Sequence, residues 1–257
     1  MTPVVVPRLP GTPERAGDGS YVFSGGGLEL TIEPRSAGNA RSLSLDGDNV
    51  LAGRTADAAE PFSAEVEGGT LILKNASGTR IKRYRLDTAR RCVELSYTVV
   101  NAGNDPLRPT LSELQRVPSA QGLTFFPGEP RLLPESTLKL NVWQPLVWFS
   151  HEQSREPRSV EALVPSAEGW LATARNGLLL INTFGDVNKS TIVVRSAYDA
   201  ETKQRPWVEV GAQTTFELLP GASATWNARW FLRKLPASIV AKAGNAQLVG
   251  FVRGIIQ

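Results

Sequence analysis

The sequence predicts an all-β protein, a single large antiparallel β-sandwich with a short helix at its C-terminus. Stretches in which apolar and polar residues alternate recur along most of the chain, as expected of strands with one buried face. Glycine, asparagine, aspartate and proline separate these stretches at intervals of about 8–12 residues, which is typical of sandwiches. The chain has 257 residues, 41% of them hydrophobic, and is therefore large enough to bury a substantial core.

The first 20 residues are rich in proline and glycine and hold few large apolar side chains. We therefore predict an extended N-terminal arm over residues 1–20, followed by the β domain over residues 21–257. Alternation is clear from Leu28 to Glu33, and Asp46-Gly47-Asp48-Asn49 has the composition of a tight turn. Further strands are predicted over residues 40–45, 70–74, 80–86, 92–100, 107–117, 123–126, 170–174, 178–184 and 191–195.

Residues 127–168 show no clear period and are predicted to be irregular. After them, Asn176-Gly177 predicts a hairpin turn, because both residue types accept a positive φ.

The basic stretch from Arg80 to Arg85 is predicted to lie mainly on a solvated strand face, with an anion-facing site as the alternative.

The segment from Pro206 to Arg233 has the clearest pattern, a strand, a turn and a second strand. In its first strand the alternation places Glu209 on the face opposite Val208 and Val210. Pro220-Gly221 marks the turn.

The tail that follows is loosely amphipathic. Ser238 is the predicted cap of a helix that runs to about Ile255. Gly244 and Gly250 weaken the helical pattern.

The charges and apolar residues argue against several classes of function. The net charge is only +3 and no long basic block occurs, so no nucleic-acid partner is predicted. No apolar stretch approaches the roughly 20 residues that span a bilayer, so no membrane partner is predicted. Ser24-Gly25-Gly26-Gly27 lacks the lysine of a phosphate-binding loop.

A metal or cofactor is also not predicted. The chain has one histidine, His151, which excludes a histidine-rich metal site. Asp46-Gly47-Asp48 and Asp186-Val187-Asn188 are better explained as turns than as calcium ligands. Cys92, the single cysteine, lies in a β-type stretch and is predicted to be a buried thiol, not a nucleophile.

Several segments, in their order along the chain, resemble one known family. They are Asp46-Gly47-Asp48-Asn49-Val50-Leu51, Leu95 to Gly103, the hairpin from Gly169 to Leu179, and the segment from Trp207 to Trp230. On these segments the chain resembles the galactose-mutarotase-like (aldose 1-epimerase-like) β-supersandwich proteins, in a branch classed as a domain of unknown function. The resemblance spans residues 22–235 and implies a cleft on the concave sheet that holds a carbohydrate.

In that family a late glutamate accepts the proton of the anomeric hydroxyl, and histidines protonate the ring oxygen. By strand position, the resemblance implies that Glu209 matches the glutamate. The family's histidine would fall near Ser112-Glu113-Leu114, where this chain has none. His151 matches no family position, but together with Glu209 it would form an acid–base pair.

Each polar candidate has a structural alternative. Glu209 is either a cleft carboxylate or a solvent-facing strand residue. His151 is either a catalytic partner or a histidine in a loop with an incidental or structural role. Glu113 and Arg116 stand three residues apart in a strand and therefore face opposite sides. Both are candidates for ligand binding, and for Glu113 a structural ion pair is the alternative.

Sugars present C–H faces that stack on aromatic rings, so the six tryptophans are informative. Those near the predicted cleft are binding candidates: Trp143, Trp148 and Trp207. Those in well-patterned strands are predicted to be core residues: Trp170, Trp226 and Trp230. Arginines that would grip hydroxyls or a carboxylate, with a surface role as the alternative, are Arg41, Arg116 and Arg195.

Three hypotheses of function follow. The first is a carbohydrate-binding protein, the second a sugar-active enzyme with Glu209 as its base, and the third a structural or interaction module. Met1 is the only methionine and precedes an extended segment, so we expect a periplasmic or secreted protein whose leader was removed, with a cytoplasmic location as the alternative. The sequence does not determine the sugar or the oligomeric state.

Overall fold

The computed structural model describes residues 10–53, 60–128, 138–143, 145–153 and 159–257. Within these ranges antiparallel strands dominate, which confirms the predicted all-β fold. In chain order the strands are β1 (Glu14–Arg15), β2 (Tyr21–Gly25), β3 (Leu28–Glu33), β4 (Asn39–Leu45), β5 (Asp48–Asn49), β6 (Ser63–Glu67), β7 (Thr70–Lys74), β8 (Arg80–Asp87), β9 (Cys92–Val100), β10 (Thr110–Pro118), β11 (Leu123–Pro127), β12 (Asn141–Trp143), β13 (Leu146–Ser150), β14 (Val160–Pro165), β15 (Trp170–Arg175), β16 (Leu178–Phe184), β17 (Ser190–Ser196), β18 (Trp207–Thr215) and β19 (Ser223–Lys234). The helix α1 covers Ala246–Ile256, and 3₁₀ turns cover Pro34–Ser36, His151–Gln153 and Val187–Lys189.

These strands form three sheets. A five-stranded sheet has the order β1-β2-β3-β4-β5, and a four-stranded sheet has the order β10-β18-β17-β14. The third sheet has ten strands in the order β12-β13-β11-β15-β16-β19-β9-β8-β7-β6. Residues Glu14 and Arg15, within the predicted arm, pair with β2 in the first sheet, while residues 1–9 lie outside the described ranges.

One large apolar core takes side chains from all three sheets, for example Leu30, Val194 and Trp226. A smaller core contains Leu248 and Val252 of α1 together with residues of the ten-stranded sheet. Successive residues of β11, Phe125 and Phe126, belong to different cores, and successive strand residues point to opposite faces. The ten-stranded sheet is therefore covered on one face by the main core and on part of the other face by α1.

The predicted strand, turn and strand of the late segment are confirmed as β18 and β19, with Gly221 in the turn at a φ of +77°. The two strands are not a hairpin. The first lies between β10 and β17 in the four-stranded sheet, and the second lies between β9 and β16 in the ten-stranded sheet. The turn therefore carries the chain from one sheet to the other.

The predicted start of the helix is wrong. The helix begins at Ala246, and its N-cap is Asn245, whose side chain accepts a hydrogen bond of 2.9 Å from the backbone N–H of Gln247. Gly244, just before the cap, has a φ of +80°, a backbone conformation outside the right-handed helix. Asparagine is also among the strongest N-cap residues, so the helix starts there and not at Ser238.

The prediction that residues 127–168 are irregular is wrong for β12, β13 and β14. Four successive residues of β13, Leu146 to Phe149, are buried. A strand buried on both faces shows no alternation of apolar and polar residues, which is why no strand was predicted there.

The hairpin turn at Asn176-Gly177 is confirmed, with φ values of +48° and +74°.

The strands β10 and β18 approach each other closely at Gly211. A Cβ atom at this position would overlap the carbonyl oxygen of Glu113 and lie 2.9 Å from the Cα of Leu114. Glycine is therefore required here by the close contact of two backbones, and this contact sets the spacing of the strands that carry the site described below.

Replacing Gly211 with alanine is expected to lower the free energy of unfolding by about 2 kcal/mol or more, because β10 and β18 must move apart. Urea unfolding followed by tryptophan fluorescence measures the change. Gly17→Ala is the control, since a Cβ there meets no atom within 4 Å, and a change below about 0.5 kcal/mol is expected. Equal stabilities of the two variants would show that the close contact is not limiting.

Candidate functional site

A row of four charged residues crosses the four-stranded sheet. Arg116 of β10 pairs with Glu209 of β18, Glu209 pairs with Arg195 of β17, and Arg195 pairs with Glu161 of β14. Residues that pair directly across antiparallel strands project from the same face of the sheet. The register therefore aligns two cations and two anions in alternation.

Hydrogen bonds of good geometry join the row. Arg116 Nε donates to Glu209 Oε1 at 3.0 Å, and Arg195 Nη1 donates to Glu209 Oε2 at 2.8 Å. Arg195 Nη2 donates to Glu161 Oε1 at 2.8 Å. Burial by itself would lower the pKa of Arg195, but Glu161 and Glu209 outweigh burial and raise it above its ordinary value. Arg195 is therefore fully protonated at neutral pH.

Glu209 is only 4% exposed, so the solvent-facing interpretation of this carboxylate is wrong. Both of its oxygens accept hydrogen bonds from guanidinium groups. The guanidinium of Arg116 in turn lies 4.0 Å from the ring centre of Trp207, a cation–π contact. Among the predicted site residues, the structure thus brings Glu209, Arg116 and Trp207 together, with Arg195 as their further partner.

Glu113 lies on the opposite face of β10 from Arg116, as predicted. Its carboxylate accepts a hydrogen bond of 3.0 Å from Lys82 Nζ, and each of the two side chains is 4% exposed. The same ammonium group donates to Asn39 Oδ1 at 3.0 Å and lies 5.1 Å from the ring centre of Tyr97. This arrangement is the structural ion pair that was one alternative for Glu113, and a ligand contact by Glu113 stays a prediction.

Sequence reasoning missed Lys82. The basic stretch that contains it was predicted to lie mainly on a solvated face. The alternation of β8, however, places Lys82 on the same face as Tyr84 and Leu86, which are buried. That shared face was the signal that a lysine is buried here, since a buried ammonium requires a partner.

A cavity of about 280 Å³ lies beside the two ion-pair systems. Its lining is almost entirely polar and consists of Asn39, Arg80, Lys82, Tyr97, Thr110, Ser112, Leu114, Arg195 and Glu209. Burial raises the pKa of the Tyr97 hydroxyl, which therefore keeps its proton at neutral pH and is a hydrogen-bond donor as well as an acceptor. The cavity offers both donors and acceptors on side chains whose positions are fixed by other hydrogen bonds.

His151 begins the 3₁₀ turn that follows β13, in the connection where the sequence placed it, but it is not an exposed loop residue. The side chain is fully buried, and its Nε2 hydrogen-bonds to Thr124 Oγ1 at 2.8 Å. Thr124 in turn hydrogen-bonds to Thr173 across two strands of the ten-stranded sheet. Burial lowers the pKa of His151 to about 4, so the ring is neutral at physiological pH. The hydrogen bond of His151 thus runs to Thr124, whereas Glu209 is held by the two arginines.

The remaining binding candidates are dispersed. Trp148 is 1% exposed and stacks on Phe125 in the core beneath α1. Trp143 is 62% exposed on β12, an edge strand. Arg41 forms an exposed ion pair of 2.8 Å with Asp18. The predicted core tryptophans are confirmed as buried: Trp170, Trp226 and Trp230.

The structure also locates Cys92 and two acidic neighbours. Cys92 is buried, as predicted, and its possible ligand atom lies within 4.8 Å of those of Asp87 and Glu94. Burial raises the pKa of Cys92 to about 11, and the two carboxylates add to the effect. The thiol therefore stays protonated at neutral pH. Within the described ranges, no helix is both long enough and apolar enough to cross a membrane.

No protein-family model matches the sequence, and no curated protein sequence is similar to it. Solved structures are similar to it in fold. A galactose mutarotase-like protein from Lactobacillus casei has a TM-score of 0.62 and 10% identity, over 84% of this chain and 100% of that one. Galactose 1-epimerase from Lactobacillus acidophilus NCFM has a TM-score of 0.58 and 9% identity, over 88% and 98%.

This chain has the galactose mutarotase-like fold. The fold also occurs as part of a longer protein, since 88% of this chain matches 49% of a TPR-domain containing protein from Parabacteroides distasonis, with a TM-score of 0.63 and 15% identity. Similarity at such low identity establishes the mutarotase-like architecture and not an activity. Any functional conclusion must therefore come from the side chains of this protein.

The buried ion pair in this mutarotase-like sandwich is expected to behave asymmetrically when mutated. Lys82→Met leaves Glu113 buried without its cation, and we expect a loss of about 3–5 kcal/mol in the free energy of unfolding. The double variant Lys82→Met/Glu113→Leu removes both charges and is expected to be clearly more stable than Lys82→Met. Urea unfolding of the wild type and the variants measures this. A double variant no more stable than Lys82→Met would contradict the pairing.

The buried His151 predicts a pH dependence of stability. Its pKa is about 4 in the folded protein against 6.5 for a free histidine, so the unfolded chain binds a proton first as the pH falls. The stabilisation is present above pH 6.5 and is lost toward pH 4. We expect a loss of about 2 kcal/mol between about pH 7 and pH 5 from this group alone. Urea unfolding of wild type and His151→Gln at both pH values should show the smaller loss in the variant, and identical losses would contradict the assignment.

Proposed function

We propose that the protein binds a carbohydrate in the cavity beside Glu209 and Arg195. The observation that carries this proposal is the lining of the cavity, where charged groups, hydroxyls and an amide converge with very little apolar surface. A sugar hydroxyl both donates and accepts hydrogen bonds, so it requires a site that offers both kinds of partner. A filled apolar cleft, which would favour a purely structural module, is not what these residues form.

The ion-pair row supports the proposal because it holds the binding groups in place before a ligand arrives. Arg195 contacts Glu209 and Glu161, so its guanidinium has little freedom to lose on binding. Lys82 is similarly held by Glu113 and Asn39. Groups fixed in this way bind with a smaller loss of conformational entropy than mobile side chains do. Ser112 and Arg80, which are more exposed, would complete the site at its edge.

An enzymatic role for Glu209 is less well supported than binding. A general base needs a free lone pair within reach of the proton that it removes. Both oxygens of Glu209 accept hydrogen bonds from arginines, and these bonds must weaken before the carboxylate can take a proton from a substrate. His151, the other expected catalytic group, is a neutral core residue with its own threonine partner. We therefore propose binding without ring opening.

The test is calorimetric titration and thermal-shift measurement with a panel of mono- and oligosaccharides. A sugar that binds stabilises the folded state. Ser112→Ala is expected to weaken the binding of that sugar by about 2- to 10-fold, the loss of one hydrogen bond. Ser63→Ala, at an exposed serine of β6, is the matched control and is expected to bind normally.

The absence of any binding at millimolar concentration across the panel would overturn the proposal, as would a sugar whose affinity is the same for Ser112→Ala and the wild type. Ser112 is exposed, so its truncation is expected to leave folding intact, whereas a change at the buried Glu209 would disturb it. Nuclear magnetic resonance of the bound sugar's anomers then tests catalysis. Faster exchange of the anomers with the protein present would show that the protein catalyses ring opening and would overturn binding without it.

A further inference from the structure

A second cavity lies on the ten-stranded sheet, on the face that the main core does not cover. It has a volume of about 530 Å³ and is formed by β8, β9, β16 and β19 with a contribution from β7. The charged residues that line it are Arg83, Arg85, Glu94 and Arg229. We call this cavity the arginine groove. None of these residues belongs to the site beside Glu209.

Strand register again aligns the charges. Arg85 pairs with Glu94, and Glu94 pairs with Arg229, so the three side chains form one row across β8, β9 and β19. The adjacent row on the same face begins with Arg83, which pairs with Ser96, and Ser96 pairs with Asn227. Three guanidinium groups therefore lie on one patch with a single carboxylate, a local charge of 3 − 1 = +2.

The contacts within this patch are looser than those around Glu209. The Arg85 Nε–Glu94 Oε2 and Arg229 Nε–Glu94 Oε1 distances are 3.4 and 3.5 Å. The two arginine–carboxylate distances at Glu209, by comparison, are 3.0 and 2.8 Å. The side chains of Arg85 and Arg229 are 58% and 51% exposed. Arg83 has no ion-pair partner among the residues that the structure describes. Most guanidinium N–H groups here are thus available to an external anion.

Hydroxyl and amide side chains continue from the arginines along β9 and β19. After Ser96 and Asn227 comes the pair Thr98 and Thr225, whose hydroxyls hydrogen-bond at 2.8 Å. At about 3.3 Å per residue, the polar track from Glu94 to Thr98 is roughly 13 Å long. Such a track matches an extended chain of hydroxylated units more closely than a single small molecule.

We propose that the arginine groove binds an acidic oligosaccharide. The arginines would hold a carboxylate of the sugar chain, since the guanidinium fork matches that group in a bidentate manner. The serine, threonine and asparagine side chains would contact the hydroxyls of neighbouring units. Glu94 disfavours the closely spaced phosphates of a nucleic acid, and the lining aromatic residue, Phe184, is buried and offers no surface for base stacking.

The experiment uses a galacturonate tetramer and its methyl ester, which has the same shape without the charge. Calorimetric titration of the full chain should show binding of the acid and at least tenfold weaker binding of the ester. Raising the salt concentration should weaken the binding of the acid. Arg83→Gln/Arg229→Gln should lower the affinity for the acid by at least tenfold, whereas Arg108→Gln, an exposed arginine paired with Glu217, should leave it unchanged.

Glu94→Gln provides a test that does not depend on losing binding. Without the carboxylate, the arginines no longer divide their donors between Glu94 and the ligand, so the acid should bind a few-fold more tightly. Equal affinities for the acid and the ester would overturn the proposal, as would an unchanged affinity in both the double arginine variant and Glu94→Gln. Tighter binding of single-stranded RNA than of the acid would overturn it in favour of a nucleic-acid site.

The two proposed sites are distinguished by the same set of variants. If Ser112→Ala weakens the binding of the galacturonate tetramer and Arg83→Gln/Arg229→Gln does not, the acid occupies the cavity beside Glu209 and the arginine groove is not a binding site. Melting curves of each variant confirm that it is folded at the titration temperature.

Discussion

The ionic contact of Glu209 with Arg116 and Arg195 is the interaction on which the four-stranded sheet depends. A carboxylate that is 4% exposed is tolerated only when its charge is compensated, and here two arginines from the two flanking strands do so. The same contact fixes the register of β10, β18 and β17 and places Arg195 at the wall of the cavity. An arginine that compensates the buried charge of Glu209 thus also forms part of the candidate site.

Strand register aligns charged side chains both in the row around Glu209 and in the arginine groove, but the two sets of charges differ in their contacts and exposure. In the row around Glu209, short hydrogen bonds join the side chains, and the charges balance. In the arginine groove the distances are longer, the side chains are exposed and the positive charges exceed the negative one. Burial explains the difference, because an uncompensated charge is costly in the core and inexpensive at the surface. The proposed carbohydrate site therefore rests on side chains joined by short hydrogen bonds, and the proposed site in the arginine groove rests on more exposed ones.

In this mutarotase-like fold, the two residues expected to form an acid–base pair have separate hydrogen-bond partners. The one histidine of the chain is a neutral core residue, and the glutamate that matches the family base by strand position is held by two guanidinium groups. The side chain of His151 is hydrogen-bonded to Thr124, and that of Glu209 to Arg116 and Arg195. Similarity of fold by itself therefore does not assign a chemical role to either residue.

The sequence by itself determined the local features: the strand periods, the turns at Asn176-Gly177 and Pro220-Gly221, and the face on which Glu209 lies. These follow from residues adjacent in the chain, whose side chains alternate and whose φ preferences are local. Only the tertiary structure decided the partners of Glu209, since Arg116 is 93 residues away in the chain. It also decided that His151 is buried and that β18 and β19 lie in different sheets. Strand neighbours are set by packing of the whole core, and alternation within one strand carries no information about which strand lies beside it.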